Sequence, residues 1–331
     1  MTQSTDFHPA DPASGHPELA EPLARLRSDD EAVRRVAVIA LADLEDASAL
    51  PWLTMALTRD PAAAVRREAA QRLAGWDDID VVRHLARALT DADASVREAA
   101  AQSLTEIRDP SVGTPLFDWI AHTDASVRTA ALRALRELRL PDTFRPALRA
   151  LDDEDAAVRR EAVGVLGWLK NAEALARLAD LATTDADAGV RRAATGALGV
   201  PGIPSLVPAL QSALGDASWQ VREEAAVTLG KIGAQPAIAG LIAALADDYW
   251  QVRLQAARAL GRLRATDALP ALAGLLAHEV SNLRKEAALA LGELRDPAAH
   301  APLQQAAADA DPDVRKAARI ALMQIESAGR I

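Results

Sequence analysis

Apolar and polar positions repeat along the chain in one pattern. A Val-Arg pair recurs at Val33, Val65, Val96, Val127, Val158, Val190, Val221, Val252 and Val314, with Leu283-Arg284 as the one variant. Successive anchors stand 31 or 32 residues apart, which gives ten units. Four residues after every anchor is an alanine, from Ala37 to Ala318, and eight residues after it a leucine, from Leu41 to Leu322. Apolar positions at 0, +4, +8 and +11 fall within about 80° of one another at about 3.6 residues per turn, so they share one helix face and cannot alternate as a strand does. Seven units place Asp or Ser three residues ahead of the anchor: Asp30, Asp93, Asp124, Asp155, Asp187, Ser218 and Asp311. A side-chain oxygen there accepts from the unpaired N–H groups of a first helical turn. A second apolar segment follows each anchor helix, marked by a leucine near +20 in eight units, from Leu53 to Leu303. Each unit therefore predicts a helical hairpin too thin to bury its own apolar face. Stacking the hairpins supplies the core, so the pattern predicts an all-α chain, an α-solenoid of about ten hairpins.

Opposite the apolar face lie positions −1, +3, +6 and +10, at about 240° to 300°. These are the positions where the units differ. Hairpin six shows Gly189, Ala193, Gly196 and Val200, almost bare backbone. Hairpin seven shows Gln220, Glu224, Val227 and Lys231, and hairpin eight Gln251, Gln255, Arg258 and Arg262. Trp168 stands at +10 of hairpin five, Trp219 and Trp250 stand at −2 of hairpins seven and eight, and Tyr249 adjoins Trp250. A glycine-lined trough is expected between Trp168 and the two later tryptophans. Trp52, Trp76 and Trp119 occupy core-type offsets and are expected to pack inside. The stretch GALGVPGIPSLVP puts Pro201 where other units carry Leu, Ile or Trp, so the sixth anchor helix should stop near Gly199, with a local change of curvature.

The stretches DASVREAAAQSLTEI, DASWQVREEAAVTLGKI and VSNLRKEAALALGELRD resemble the short HEAT-like repeat named after phycobilin lyases, which also underlies designed alpha-repeat binding proteins. The resemblance covers roughly residues 17–326 and implies a right-handed superhelix of HEAT-like hairpins. It further implies that the second helix of each hairpin lines a concave partner surface. The ten arginines one residue after the anchors then read as ties between neighbouring units, with an inter-helix Asp nearby in most of them, rather than as a ladder for nucleic acid.

Composition narrows the function. The net charge is −10, which argues against duplex nucleic acid or an anionic membrane as partner. Cysteine is absent, which excludes thiolate catalysis and Cys-based metal sites. The first 16 residues carry neither the basic nor the apolar region of a secretory signal and read as a disordered tail, leaving a single array over 17–331 in a cytoplasmic protein. Six histidines show no metal-ligand spacing, and His278-Glu279 is one His-Glu pair where iron-binding HEAT hydroxylases acting on a lysine carry four. No catalytic residue, metal or cofactor is expected.

Aromatic and arginine anchors beside small residues are what protein interfaces enrich. The expected function is thus a non-enzymatic scaffold or adaptor that grips a partner protein or peptide through Trp168, Trp219, Gln220, Glu224, Tyr249, Trp250, Gln251, Gln255, Arg258 and Arg262. The alternative, resting on the resemblance, is a bilin or tetrapyrrole lyase-like maturation factor in which Arg258 and Arg262 pair with propionates.

Overall fold

The computed structural model describes residues 16–328. The expected tail thus lies outside the described residues, except for His16. Two compact units are present, Met1–Val165 and Leu166–Ile331. Among the described residues the regular structure is entirely helical.

Ten anchor helices are formed, and each contains one repeat of the pattern. In the first unit they are α2 (Glu31–Ala42), α4 (Ala63–Arg72), α6 (Ala94–Leu104) and α7 (Ala125–Leu138), and α9 spans Ala156–Leu169. In the second they are α11 (Ala188–Ala197), α13 (Trp219–Ile232), α15 (Trp250–Arg262), α17 (Ser281–Leu294) and α19 (Pro312–Ala328). Each is preceded by a partner segment, in most hairpins the shorter of the two: α1 (Ala20–Leu26), α3 (Leu50–Arg59), α5 (Ile79–Ala88), a 3-10 turn over Thr114–Trp119, α8 (Phe144–Ala150), α10 (Ala172–Thr184), α12 (Val207–Ala213), α14 (Ile238–Ala244), α16 (Leu269–Leu275) and α18 (His300–Ala306). Most partner segments also begin with a single 3-10 turn, as at Gln235–Ala237 ahead of α14.

Burial follows the repeat. All ten alanines at +4 are fully buried, as are the leucines of the partner segments from Leu53 to Leu303. Nine of the ten anchors are inaccessible; Val33 is the exception at 36% exposed, with no earlier anchor helix among the described residues to pack against. In the second unit α11 packs on α13, α13 on α15, α15 on α17 and α17 on α19, so the second helices form a continuous layer. Glycine at +9 permits their close approach. A Cβ added to Gly230 would lie 2.9 Å from the Cα of Ala259, and one on Gly261 would lie 2.9 Å from the Cα of Ala290. An alanine at either place must push the helices apart.

The caps match expectation with one exception. Asp30, Asp93, Asp124, Asp155, Asp187 and Asp311 each accept from a first-turn N–H. Ser218 does not cap α13, because its hydroxyl donates instead to Gln220 Oε1 at 2.7 Å. The sixth anchor helix ends at Ala197, two residues before Gly199. Of the tryptophans expected inside, only Trp52 is buried. Trp76 and Trp119 are half-exposed, and Trp119 stacks on His122 at 5.8 Å.

Candidate functional site

The arginine after each anchor builds the joints between hairpins. Its guanidinium reaches forward to an Asp two residues before the next cap position and back to the carbonyls ahead of its own helix. Arg222 shows the arrangement: Nε and Nη2 donate to the two carboxylate oxygens of Asp247 at 2.6 and 2.9 Å, and Nη1 donates to the Asp216 carbonyl at 2.8 Å. Equivalent bidentate rungs join Arg34 to Asp60, Arg66 to Asp91, Arg128 to Asp153, Arg191 to Asp216 and Arg284 to Asp309. The guanidinium beside Asp247 holds that carboxyl below the usual carboxylate range, and the same cause acts at Asp91 and Asp309.

Two rungs are missing. At the position of the receiving Asp stand His122 and His278, each accepting a backbone N–H on Nδ1 at 3.0 Å. A neutral ring that accepts on Nδ1 carries its proton on Nε2 and offers no charge to the preceding arginine. Arg253, which precedes His278, keeps its Nε buried without a hydrogen-bond partner.

The aromatic residues sit on these joints. Trp219 stacks on Tyr249 with ring centroids 5.4 Å apart and planes 13° from parallel. The Arg222 guanidinium lies 5.7 Å over the same Tyr249 ring, which adds a cation–π contact to the closed rung. Tyr249 is the N-cap residue of α15 and supplies no side-chain cap. Its outer surface is 45% exposed. Trp250, half-buried at the equivalent place of the next joint, has no ring partner among the described residues.

On the layer of second helices the polar stripe is largely neutralised. Arg258 forks onto Glu286 at 2.9 and 2.8 Å, and Glu224 lies 3.5 Å from Arg192. Arg258 is therefore already engaged by a carboxylate of its own chain. The trough expected over hairpin six is filled. The Glu224 carboxylate stands 2.9 Å from where a Cβ on Gly196 would be, and Lys231 Nζ 3.3 Å from one on Gly199. Glycine here makes room for side chains of the next hairpin and leaves no open floor. Gln251 and Gln255 are half-buried along α15, Arg262 is exposed at its C-terminal end, and Trp168 is 40% exposed on α9. The structure thus brings Trp219 and Tyr249 together. It places Gln251, Gln255, Arg258 and Arg262 along α15, and engages Gln220 and Glu224 in local contacts.

Residues outside the expected set complete this face. Arg264 and Arg295, both two residues past a +10 position, border a recess of about 300 Å3 together with Gly261, Arg262, Glu293 and Gln324. Their signal in the sequence was the charge at +10 and +12 of hairpins eight and nine. In the first unit Arg67, Gln71, Gln102 and Arg133 border a polar groove of about 620 Å3, and the Arg67 Nε is buried in it without a partner. His16, Glu18 and Asp46 bring their ligand atoms within 4.8 Å of one another, but the Asp46 carboxylate already accepts from the Ser48 N–H.

The profile described as HEAT repeats matches residues 13–71, 55–136, 113–199, 182–251 and 238–323, which together span almost the whole chain. The chain belongs to the HEAT repeat family. A search for sequence relatives among curated proteins gave no match. Among solved structures, an engineered protein is similar over 93% of this chain and 99% of its own, with 22% identity and a TM-score of 0.52. YibA of E. coli is similar over 75% of this chain and 95% of its own, with 20% identity and a TM-score of 0.60. Yeast importin-β (Kap95p) is similar over 96% of this HEAT chain but 51% of its own length, with 14% identity and a TM-score of 0.64. At these identities the likeness shows the fold.

Proposed function

We propose that this HEAT protein is a non-enzymatic scaffold that holds a partner protein or peptide on the layer of its second helices, with hairpins seven to nine as the main contact. The observation that carries this reading is the open joint at hairpin eight. There Trp250 has no ring partner and Arg253 has a buried donor with no acceptor, next to a joint where the same positions are filled. Tryptophan and arginine are residue types that interface hot spots enrich. The exposed edge of Tyr249 and the stripe of Gln251, Gln255 and Arg262 extend the surface, Trp219, Gln220 and Glu224 come from the preceding hairpin, and Trp168 adds an exposed aromatic on hairpin five. Kap95p, similar in fold, binds RanGDP and is found in a complex with Nup1. None of the described helices is long and apolar enough to cross a membrane.

Replacing Trp219 and Trp250 together by alanine is expected to weaken partner capture by about 2–4 kcal/mol. Undiminished capture by a double variant that remains folded would remove this surface from consideration.

A further inference from the structure

Several cations on the second-helix layer have an anionic neighbour: Arg133 and Arg136 share Glu161, Arg192 faces Glu224, Arg258 forks onto Glu286, and Lys285 reaches Asp313. Three arginines without one stand together. Arg262, Arg264 and Arg295 converge on the recess at the C-terminal ends of α15 and α17, and among the described residues none of them makes a side-chain hydrogen bond or ion pair. A single carboxylate, Glu293, stands among the three guanidinium groups and likewise makes no hydrogen bond. The fourth wall is Gln324 of α19, whose Oε1 is packed against Gly292 of α17.

Cations at the ends of helices gain from the helix dipole, and that accounts for an arginine at each terminus. It does not account for a recess of about 300 Å3 kept open between the arginines in a chain of net charge −10. A ligand for the recess must offer oxyanion acceptors to the guanidinium groups, and an Asp or Glu of a bound peptide supplies them.

We propose that the recess formed by Arg262, Arg264, Arg295, Glu293 and Gln324 captures an acidic residue of a bound peptide, its carboxylate against the arginines. The inference rests on the scaffold reading and gives the partner a chemistry: it carries an acidic segment. From Trp250 to Arg262 the helix α15 is 13 residues long, about 20 Å, which about six residues of extended peptide would span.

The test uses the full chain and a fluorescein-labelled octaglutamate peptide, read by anisotropy at low salt, with octalysine as the opposite-charge control. Wild type should bind octaglutamate saturably and octalysine at least tenfold more weakly. The variant Arg264→Gln/Arg295→Gln, both exposed residues, should lose at least tenfold in octaglutamate affinity while its melting temperature stays within a few degrees. Inorganic phosphate should compete poorly. Absence of saturable binding, equal binding by the arginine variant, or displacement by phosphate at lower concentration than by unlabelled octaglutamate would each overturn the proposal. If capture of the natural partner depends on Trp250 but ignores Arg264→Gln/Arg295→Gln, the recess proposal fails and the scaffold reading stands. If octaglutamate binds as described while Trp250 proves irrelevant to capture, the scaffold surface fails and the recess remains.

Discussion

Two consecutive joints of this HEAT array carry nearly the same sequence and differ in physical state. Between hairpins seven and eight, Arg222 is locked onto Asp247 while Trp219, Tyr249 and Arg222 close over one another. Between hairpins eight and nine the tryptophan and arginine are kept as Trp250 and Arg253, but their receivers have changed: His278 stands for Asp247 and Val280 for Tyr249. The first joint uses its aromatic and cationic groups internally. The second leaves them for something else. A shared motif therefore does not give a shared role, because the role is set by the residue that arrives from the next repeat 25 positions later in Asp247.

The comparison can be broken most severely with acid, which opens all the closed rungs together. Asp91, Asp247 and Asp309 titrate below the ordinary carboxylate value when folded, chiefly through the guanidinium groups they accept from. A depressed folded value means that their stabilisation is complete above about pH 4 and is lost as pH falls from there through the folded values. Thermal melts should be nearly level from pH 7 to pH 5 and collapse below about pH 4. A collapse beginning near pH 6 would contradict the account.

Asp247→Ala opens one closed rung and leaves Arg222, whose side chain is 14% exposed, without its partner. A loss of about 2–4 kcal/mol is expected by urea denaturation, whereas His278→Ala should cost less than about 1 kcal/mol because no rung exists there to break. Similar losses from both would show that the two joints are alike.

Trp219→Ala removes the stack on Tyr249 and should cost about 2 kcal/mol of stability, from lost burial plus the ring pair. The same change at Trp250, which has no ring partner, should cost visibly less in the same melts.

The smallest effect is a gain. His278→Asp would close the open joint onto Arg253 and should add about 1 kcal/mol. Unchanged or reduced stability would show that Arg253 cannot reach position 278.

How far the sequence reveals this depends on whether a feature is periodic. The hairpins, the buried alanines at +4 and the caps repeat every 31 or 32 residues and are readable without coordinates. The arginine ladder was readable for the same reason. Trp76 and Trp119 look like core residues by offset alone, yet each lies at the edge of its hairpin and remains half-exposed. The glycines of hairpin six suggest an open trough only because Glu224 and Lys231, which fill it, come from the following unit. The +9 glycines of Leu-Gly pairs such as Leu229-Gly230 and Leu260-Gly261 were visible as a run, but their function, close approach to the alanine at +7 of the next helix, exists only between repeats. The recess at Arg264 and Arg295 escaped for the same reason, since three helices contribute its walls.

The central claim is that the open joint at hairpin eight, rather than the closed one at hairpin seven, is where a partner is gripped. The most direct measurement is quantitative capture from native lysate by the single variants Trp219→Ala and Trp250→Ala, below the melting range of both. The account predicts that Trp250→Ala loses the captured protein at near-wild-type stability, while Trp219→Ala is less stable yet still captures it. Capture lost with Trp219→Ala and retained with Trp250→Ala would contradict it.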